Sequence, residues 1–218
     1  MSDEPIDLSK MRTQYAPVPL RRATLAATWE DQFASWLADA QQAGVPEPNA
    51  MVLATAGEGG QPSTRTVLLK AVEEGELVFY TNYRSRKARE IAQNPACSVT
   101  FPWIGLGRQV TITGRARRGT DAEADAYFAS RPYGSQIGAL ASEQSQRIAS
   151  REQLEQRAAE LSAAYPAGES VPRPHDWGGF RIAPVTIEFW QGRPDRLHDR
   201  LRFVRTADGA WIVERLSP

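Results

Sequence analysis

Short apolar runs separated by turn residues occupy the middle and the end of the chain, and they predict β-strands. The segments between the runs are rich in glycine, proline, asparagine and aspartate, which favour turns. Because the runs are short and follow one another closely, we expect their strands to pair in antiparallel fashion. The predicted strands cover residues 51–55, 64–69, 77–81, 97–103, 109–116 and 185–190, and the last ones flank a turn at 207–209.

Helical periodicity first appears after Thr28. Thr28 and Asp31 have the spacing of a capping box, with aspartate in place of the usual glutamate. Gly44, Pro46 and Pro48 are expected to end this helix. Its apolar positions share one face, which we interpret as core packing. These positions are Trp29, Phe33, Trp36, Leu37 and Ala40.

Three further helix starts carry a polar capping residue. Ser85 is expected to cap a short helix. Thr120 and Glu123 form a second capping box, and the helix that they begin is expected to end at Pro132. Ser150 begins another helix. The count is about seven short strands and four helices. This predicts a mainly β (α+β) fold, one antiparallel β-barrel or sandwich with surrounding helices.

The first 27 residues lack strong periodicity, and two prolines near their end exclude a continuous helix. We therefore expect residues 1–27 to form a mobile arm in front of a single domain, residues 28–218. Arg12 and Tyr15 lie in this arm, and they could fold over a site as a lid.

Composition limits the classes of function. The 218 residues are 41% hydrophobic, and 26 basic residues balance 26 acidic ones. This balance argues against general binding to nucleic acid or acidic membranes. No apolar stretch approaches the ~18 residues of a membrane span, and the acidic N-terminus does not resemble a secretory signal. Cys97 alone cannot form an internal disulfide, which suits the cytoplasm. Together with His175 and His198 it offers no close set of metal ligands.

Several cationic side chains fall where strands end or helices begin. Arg86 and Lys87 lie in the first turn of a predicted helix, where free N–H groups and the helix dipole favour an anion. Arg65 begins a predicted strand and Lys70 ends it, and their odd separation places them on opposite faces of an ideal strand. They either serve different anions or are brought together by a bend.

A second anion-binding set is predicted around Arg131. Tyr127 and Arg131 are four residues apart and would share a helix face, and Ser135 follows in a turn that contains Gly134. A phenol, a guanidinium and a hydroxyl together form a suitable cradle for a phosphate group.

The charged segment 191–200 lies close to the C-terminus. If it is extended, Arg196, His198 and Arg200 point to one face. Two guanidiniums and an imidazole make a poor core but a good anion site. A solvated charged strand is the alternative interpretation.

These motifs follow one another in a specific order. RTVLLK begins at residue 65, YT at 80, SRKA at 85, RQV at 108, RPYGSQIGALAS at 131, WGGFR at 177, IEFWQG at 187 and RLHDR at 196. This succession resembles the pyridoxine (pyridoxamine) 5′-phosphate oxidase family. The resemblance covers residues 65–218 and, more weakly, residues 11–40. Its motifs are specific in combination, whereas no single one would suffice.

The resemblance implies a homodimer of antiparallel FMN-binding split β-barrels with FMN held in clefts between the subunits. It also implies oxidation of pyridoxamine 5′-phosphate or pyridoxine 5′-phosphate to pyridoxal 5′-phosphate. Oxygen would be the electron acceptor, and hydrogen peroxide would be released, together with ammonia when the substrate is the amine.

The resemblance also assigns roles to individual positions. Arg196 and His198 would be catalytic, because they would orient the substrate against the flavin and assist proton movement. On this interpretation, Arg65 and Lys70 serve two different phosphates. The positions that resemble FMN contacts are Arg65, Thr66, Val67, Leu68, Leu69, Lys70, Tyr80, Thr81, Arg86, Lys87, Gln109, Gln144, Ser145, Trp190 and Arg200. Those that resemble substrate contacts are Arg12, Tyr15, Lys70, Tyr127, Arg131, Ser135, Arg196 and His198.

Three positions depart from the family pattern. Gly107 stands where an acidic residue is common, Tyr133 where a second basic residue is frequent, and the stretch 26–30 lacks the usual Asp-Pro. The nearest alternative function is that of another split-barrel oxidoreductase that uses a flavin or a deazaflavin. A non-catalytic carrier of pyridoxal phosphate or flavin is a second alternative, and a plain structural β-domain is a third.

Overall fold

The computed structural model describes residues 7, 8, 11, 14, 15 and 18–218, so Arg12 lies outside the described residues. The described α-helices are α1 (Trp29–Gln42), α2 (Arg86–Gln93), α3 (Asp121–Ser130), α4 (Tyr133–Ala141) and α5 (Arg151–Ala164). The described strands are β1 (Ala50–Ala56), β2 (Pro62–Leu68), β3 (Ala71–Glu73), β4 (Glu76–Asn82), β5 (Ala96–Trp103), β6 (Arg108–Arg118), β7 (Trp177–Gln191), β8 (Asp199–Arg205) and β9 (Trp211–Leu216).

Helix α1 begins at its predicted cap. The side chain of Thr28 accepts a hydrogen bond from the Asp31 N–H at 3.1 Å. Trp29 and Trp36 on the inner face are buried in the main hydrophobic core. The helix ends just before Gly44, whose φ of +71° suits glycine. The predicted stripe and both ends of this helix are therefore confirmed.

The nine strands form one antiparallel sheet that curls around the main core. Its order is β2–β1–β5–β6–β7–β4–β3, and β8 pairs with β7 and β9. All of the described pairings are antiparallel. The curled sheet and its surrounding helices confirm the predicted mainly β fold, and they settle the choice between barrel and sandwich in favour of a split barrel.

Strand β7 is much longer than the predicted strand at residues 185–190. It begins at Trp177, which lies opposite Asn82 of β4, and its second half pairs with β8 instead. Its pairing with β6 contains a bulge after Thr113, and bulges bend a strand. A Cβ atom on Gly114 would lie 2.4 Å from the carbonyl oxygen of Ala183, so glycine permits this close approach.

The turn predicted at Gly134 is wrong, because residues 133–141 form helix α4. Pro132 ends α3 and also precedes α4, with a φ of −53° that suits a helix start. Ser135 therefore lies in the first turn of a helix. The caps predicted at Ser85, Thr120 and Ser150 are confirmed.

A second hydrophobic cluster lies beneath helices α3 and α4. Phe128, Ile137, Val171 and Trp177 form its buried centre. This cluster supports one wall of the cavity described below. Within the described residues, no helix is long and apolar enough to cross a membrane. The described part of the chain also holds no cluster of three side chains suited to a metal ion.

Candidate active site

A cavity of about 680 Å³ opens between β2, β4 and helices α2, α3 and α4. It brings together residues that the sequence assigned to two different ligands. Ser142 and Trp177 also line it, although neither was predicted. The predicted contacts that line the cavity are Thr66, Val67, Leu68, Lys70, Tyr80, Thr81, Lys87, Tyr127, Arg131, Ser135 and Gln144.

The cavity is positively charged. Lys70, Lys87 and Arg131 line it, and no aspartate or glutamate does. Among the described residues, none of these three cations forms an ion pair within 4.0 Å. One guanidinium nitrogen of Arg131, Nη1, is buried and has no hydrogen-bond partner in the described part of the chain. Buried cations without partners are costly, so an anionic ligand is expected here.

Lys87 lies at the start of helix α2 and is held by neutral groups. Its Nζ donates to Thr81 Oγ1 at 2.9 Å and to Gln144 Oε1 at 2.8 Å. Burial, together with the nearby charge of Arg65, lowers the pKa of Lys87 to about 8. The ammonium group and the positive end of the helix dipole both favour a phosphate.

Aromatic rings form one end of the cavity. Tyr80 and Tyr127 stack with centroids 3.9 Å apart, and the Trp177 ring lies 5.5 Å from Tyr80 and nearly parallel to it. The Arg131 guanidinium lies 4.8 Å from the Trp177 centroid, within cation–π range. The Nζ of Lys70 lies 6.0 Å from the Tyr127 ring. The two predicted phosphate-binding cations therefore lie beside the same group of rings.

Seven predicted FMN contacts do not line this cavity, and four of them are Arg65, Leu69, Arg86 and Ser145. Leu69 is buried, and Ser145 has a left-handed backbone, with its Oγ accepting the Arg86 N–H at 3.2 Å. Arg65 does not line the cavity, and its guanidinium lies 3.3 Å from the Glu90 carboxylate. Of the pair Arg65 and Lys70, only Lys70 therefore lines the cavity.

Glu90 joins the two arginines behind the cavity. Its carboxylate accepts hydrogen bonds from Thr55 at 2.5 Å, from Ser63 at 2.6 Å and from Arg86 at 2.7 Å. Burial alone would raise the pKa of Glu90, but these hydrogen bonds and the charge of Arg86 lower it to about 2. Glu90 therefore remains ionised and fixes the positions of Arg65 and Arg86.

Gln109, Trp190 and Arg200 form a second group that does not line the cavity. They lie opposite one another on β6, β7 and β8, so their side chains share one face of the sheet. Arg200 forms a two-pronged ion pair with Glu188, at 2.7 and 2.9 Å.

The prediction that Arg196, His198 and Arg200 share one extended face is wrong. Residues 194–196 form a tight 3₁₀ turn, in which Asp195 and Arg196 have φ values of 55° and 61°. The proline ring fixes its own φ, and a hydrogen bond from the residue 197 N–H to the residue 194 carbonyl closes the turn. Only Arg200 lies in a regular strand.

His198 lies within the second group instead. Its ring centroid is 4.7 Å from that of Trp190 and 5.7 Å from that of Tyr15. The backbone N–H of Arg193 donates to His198 Nδ1 at 3.1 Å. A neutral ring with this contact carries its proton on Nε2. Arg196 is exposed at the edge of the group.

Tyr15 covers this part of the protein. Its ring lies against Gly107 and Gly192, where added Cβ atoms would come within 2.8 and 2.4 Å of it. It also packs edge-on against Trp190 at 5.6 Å. Glycine at these two positions therefore allows the Tyr15 ring to approach the His198 side of the sheet.

Two family models match most of the chain. A family model described as pyridoxamine 5′-phosphate oxidase matches residues 37–165. A second model, described as the pyridoxine 5′-phosphate oxidase C-terminal dimerisation region, matches residues 177–218.

Relatives named pyridoxine/pyridoxamine 5′-phosphate oxidase resemble the chain over nearly its full length. One from Streptomyces avermitilis is 55% identical over 216 residues, which are 97% of this chain and 96% of the relative. One from Burkholderia thailandensis is 53% identical over 213 residues, which are 97% of this chain and 99% of the relative. Among solved structures, PhzG from Burkholderia lata 383, in complex with tetrahydrophenazine-1-carboxylic acid, superposes with a TM-score of 0.86 at 33% identity. The match covers 93% of this chain and 99% of PhzG.

The fold and these matches define a split-barrel oxidoreductase. More specifically, the chain belongs to the pyridoxine/pyridoxamine 5′-phosphate oxidase family.

Proposed function

We propose that this protein binds FMN and oxidises pyridoxamine 5′-phosphate and pyridoxine 5′-phosphate to pyridoxal 5′-phosphate. Oxygen is the acceptor and hydrogen peroxide is released. The amine substrate also consumes one water molecule, which supplies the aldehyde oxygen, and yields ammonia. The observation that carries this proposal is the cavity lined by Lys70, Lys87 and Arg131 and by no carboxylate. A cavity of this size and charge suits phosphorylated aromatic ligands.

The residues at one end of the cavity fit the phosphate of FMN. Lys87, Thr81 and Gln144 present an ammonium, a hydroxyl and an amide at the start of helix α2. Arg65 and Arg86 add positive charge behind them. When bound, FMN supplies the redox chemistry by accepting two electrons from the substrate and passing them to oxygen.

The other end of the cavity fits the phosphate of the substrate. Tyr127 and Ser135 add hydroxyl groups to the cations Lys70 and Arg131. The unpartnered Nη1 of Arg131 leaves a donor free for a phosphate oxygen. These four side chains would fix one end of the substrate and so orient its ring.

Arg196 and His198 would act on the substrate ring. Because His198 Nδ1 already accepts the Arg193 N–H, a neutral His198 has only its Nε2 proton to donate. Exposed Arg196 is free to contact the ring or its substituents. Tyr15 packs over this group and would limit the access of water, and we assign the same role to Arg12.

A homodimer would join the two groups of residues. The second group, which contains Gln109, Trp190 and Arg200, does not line the cavity of its own chain. Most of it falls within residues 177–218, which match the dimerisation region of the family. We propose that this group faces the cavity of a second copy and completes the site there.

We also propose that the enzyme works in the cytoplasm. Cys97, the one cysteine of the chain, cannot form an internal disulfide, which suits a reducing compartment. Cys97 is also buried, and burial raises the pKa of its thiol to about 12, so it is an unreactive core residue. The balanced charge gives no reason to expect nucleic acid or an acidic membrane as a partner.

A direct assay tests the proposed function. Purified protein is mixed with FMN and pyridoxamine 5′-phosphate in air, and aldehyde and peroxide are measured together. We expect both to form in equal amounts, and we expect little product from unphosphorylated pyridoxamine. Chromatography of the released cofactor distinguishes FMN from a deazaflavin. Failure to produce aldehyde with FMN loaded would reject the proposal.

The same assay tests one other reaction class when a reduced tricyclic carboxylic acid is supplied as the substrate. PhzG, which is 33% identical, was solved with a reduced tricyclic carboxylic acid. Lys70 and Arg131, two cations without acidic partners, suit a phosphate dianion better than a single carboxylate. A holoenzyme that oxidised the reduced tricycle and ignored pyridoxamine 5′-phosphate would favour this alternative.

A further inference from the structure

The wall beside Arg131 contains a residue of the WGGFR motif to which neither the predicted contacts nor the proposed mechanism assigns a role. Trp177 is 6% exposed, and it lines the cavity as the first residue of β7. Its ring lies 6.1 Å from that of Tyr127 and is inclined to it by only 7°. Phe128 packs against it edge-on at 5.1 Å. Trp177 thus contacts the end of α3, where the proposed phosphate-binding residues lie.

The indole of Trp177 also lies closer to the Arg131 guanidinium than the ring of Phe128 does. The Cζ of Arg131 lies 4.8 Å from the Trp177 centroid and 5.7 Å from that of Phe128. Among the described residues, no carboxylate pairs with Arg131, and its Nη1 is unpartnered. Burial lowers the pKa of Arg131, which reflects the cost of holding this charge here. The indole face is the best ring for compensating such a cost.

Arg173 connects the backbone of Trp177 to helix α3. Arg173 donates to the Trp177 carbonyl at 2.6 Å, and the same guanidinium bonds Asp125 at 2.5 Å and Asp121 at 2.9 Å. Trp177 also pairs with Asn82 at the end of the β4–β7 ladder. The indole is therefore held in place before any ligand binds.

We infer that Trp177 is a positioning residue, which holds Arg131 so that its free N–H groups meet the substrate phosphate. This inference rests on the proposed function. It extends that function, because it makes the preference for phosphorylated substrates depend on an aromatic face. Trp177 itself need not touch the reacting atoms.

The test compares two ligands that differ only in their phosphate. FMN-loaded protein is titrated by calorimetry with pyridoxal 5′-phosphate and with pyridoxal, so no turnover is required. In W177L we expect the preference for the phosphorylated ligand to fall by about tenfold, as for a lost desolvated cation–π contact. W177F keeps a smaller ring, so its loss should be about threefold.

A matched control separates positioning from general packing. Trp36 is also buried, and an arginine also lies over its ring, with Arg108 Cζ 4.6 Å from the ring centroid. Unlike Trp177, Trp36 does not line the cavity. W36L should lose stability while keeping the wild-type preference between the two ligands. A change in the melting temperature alone is therefore not counted in favour of the inference.

A double-variant comparison tests the route through Arg131. R131K keeps the charge but loses the planar stack, so it should reproduce the loss, and W177L should lower the preference no further in that background. If W177L does not fold, the comparison uses W177F. If the Trp177 variants keep the wild-type preference for the phosphorylated ligand while R131K loses it, this inference is wrong and the proposed function still stands. A wild-type protein without any phosphate preference would overturn the proposed function and this inference together.

Discussion

At the scale of single residues, Arg196 has an unusual backbone. Asp195 and Arg196 both have positive φ values, and the Leu197 N–H donates to the Pro194 carbonyl at 3.1 Å. Two left-handed central residues are characteristic of a type I′ turn, which favours asparagine and glycine. A large side chain there costs about 1 kcal/mol or more. The chain accepts this cost at a residue that we propose to be catalytic.

Replacing Arg196 by glycine should therefore separate stability from activity. We expect R196G to raise the free energy of unfolding by up to about 1 kcal/mol, which corresponds to about 2–4 °C in melting temperature. Turnover should fall at least a hundredfold, on the order of the loss of a positioned catalytic group. Calorimetry and the aldehyde assay measure the two effects. E47G relieves a similar strain outside the site, since Glu47 has a φ of 44°, and it should keep full activity. Normal turnover in R196G would remove Arg196 from the catalytic role.

The pKa of Lys87 predicts a pH dependence of anion binding. In the empty protein this pKa lies near 8 instead of 10.5, so the ammonium loses its proton above pH 8. Affinity for FMN should then fall by up to about tenfold per pH unit. Over the same window the stability of the empty protein should rise, because the folded state has released a proton that the unfolded chain still holds. Fluorescence titration between pH 7 and 9.5 measures the affinity. K87R stays charged and should bind with little pH dependence, so an equal slope in K87R would contradict the assignment.

At the scale of elements, helix α3 positions the proposed substrate-phosphate site. It begins with a complete capping box, in which Thr120 and Glu123 exchange hydrogen bonds, and it ends just before Arg131. Glu123 also accepts from Arg181 of β7, which is 8% exposed. One glutamate therefore fixes both the start of the helix and its attachment to the sheet.

Substitution of Glu123 should weaken the whole element. The ion pair with Arg181 and the cap lower the pKa of Glu123 to about 2, so its stabilising effect is present above about pH 4.5 and is lost as the pH falls towards 2. We expect E123Q to cost about 1–2 kcal/mol at pH 7, measured by denaturant unfolding, and much less at pH 2.5. E155Q removes an exposed pair with Arg151 and should change stability by less than about 0.5 kcal/mol. Equal effects of the two substitutions would show that the cap is dispensable.

Local chemistry explains which elements the sequence could predict. Ser85 and Thr120 cap their own helices within three residues, so the signal and the structure occupy the same short segment. Helix α4 was missed because Pro132 and Gly134 are common in turns as well as at helix starts. The true extent of β7 depends on its pairing with β4, and that partner is distant in sequence.

In the candidate site too, contacts within one short segment could be predicted from the sequence, whereas contacts between distant segments could not. Tyr127 and Arg131 could be recognised from a spacing of four residues at the end of one helix, and both line the cavity. Trp177 could not be placed beside them, because its position depends on a pairing with Asn82 and on ring contacts from another element. The turn at Asp195 was missed because neither central residue is glycine, although the preceding proline was a signal.

At the scale of the whole molecule, the predicted contacts divide into two groups that share no cavity. Lys70 and Arg131 represent the first group, and they line the cavity formed by β2, β4 and the helices. Arg196 and His198 represent the second group, near the C-terminal strands. A two-fold dimer can place the second group of each copy against the cavity of the other. Each site would then need residues from two chains.

Shared sites predict that two inactive variants can restore each other. R131A and R196A should each be nearly inactive, and a hybrid dimer of the two contains one site with both defects and one site with neither. Random pairing makes about half of the dimers hybrids, so co-expressed and co-purified chains should regain about a quarter of wild-type activity. Differently tagged chains allow the hybrids to be isolated, and these should have about half. R131A combined with K70A supplies the control, because both defects lie in the same group and every site in that hybrid carries one of them. Isolated R131A/R196A hybrids without activity would mean that each chain builds its site alone.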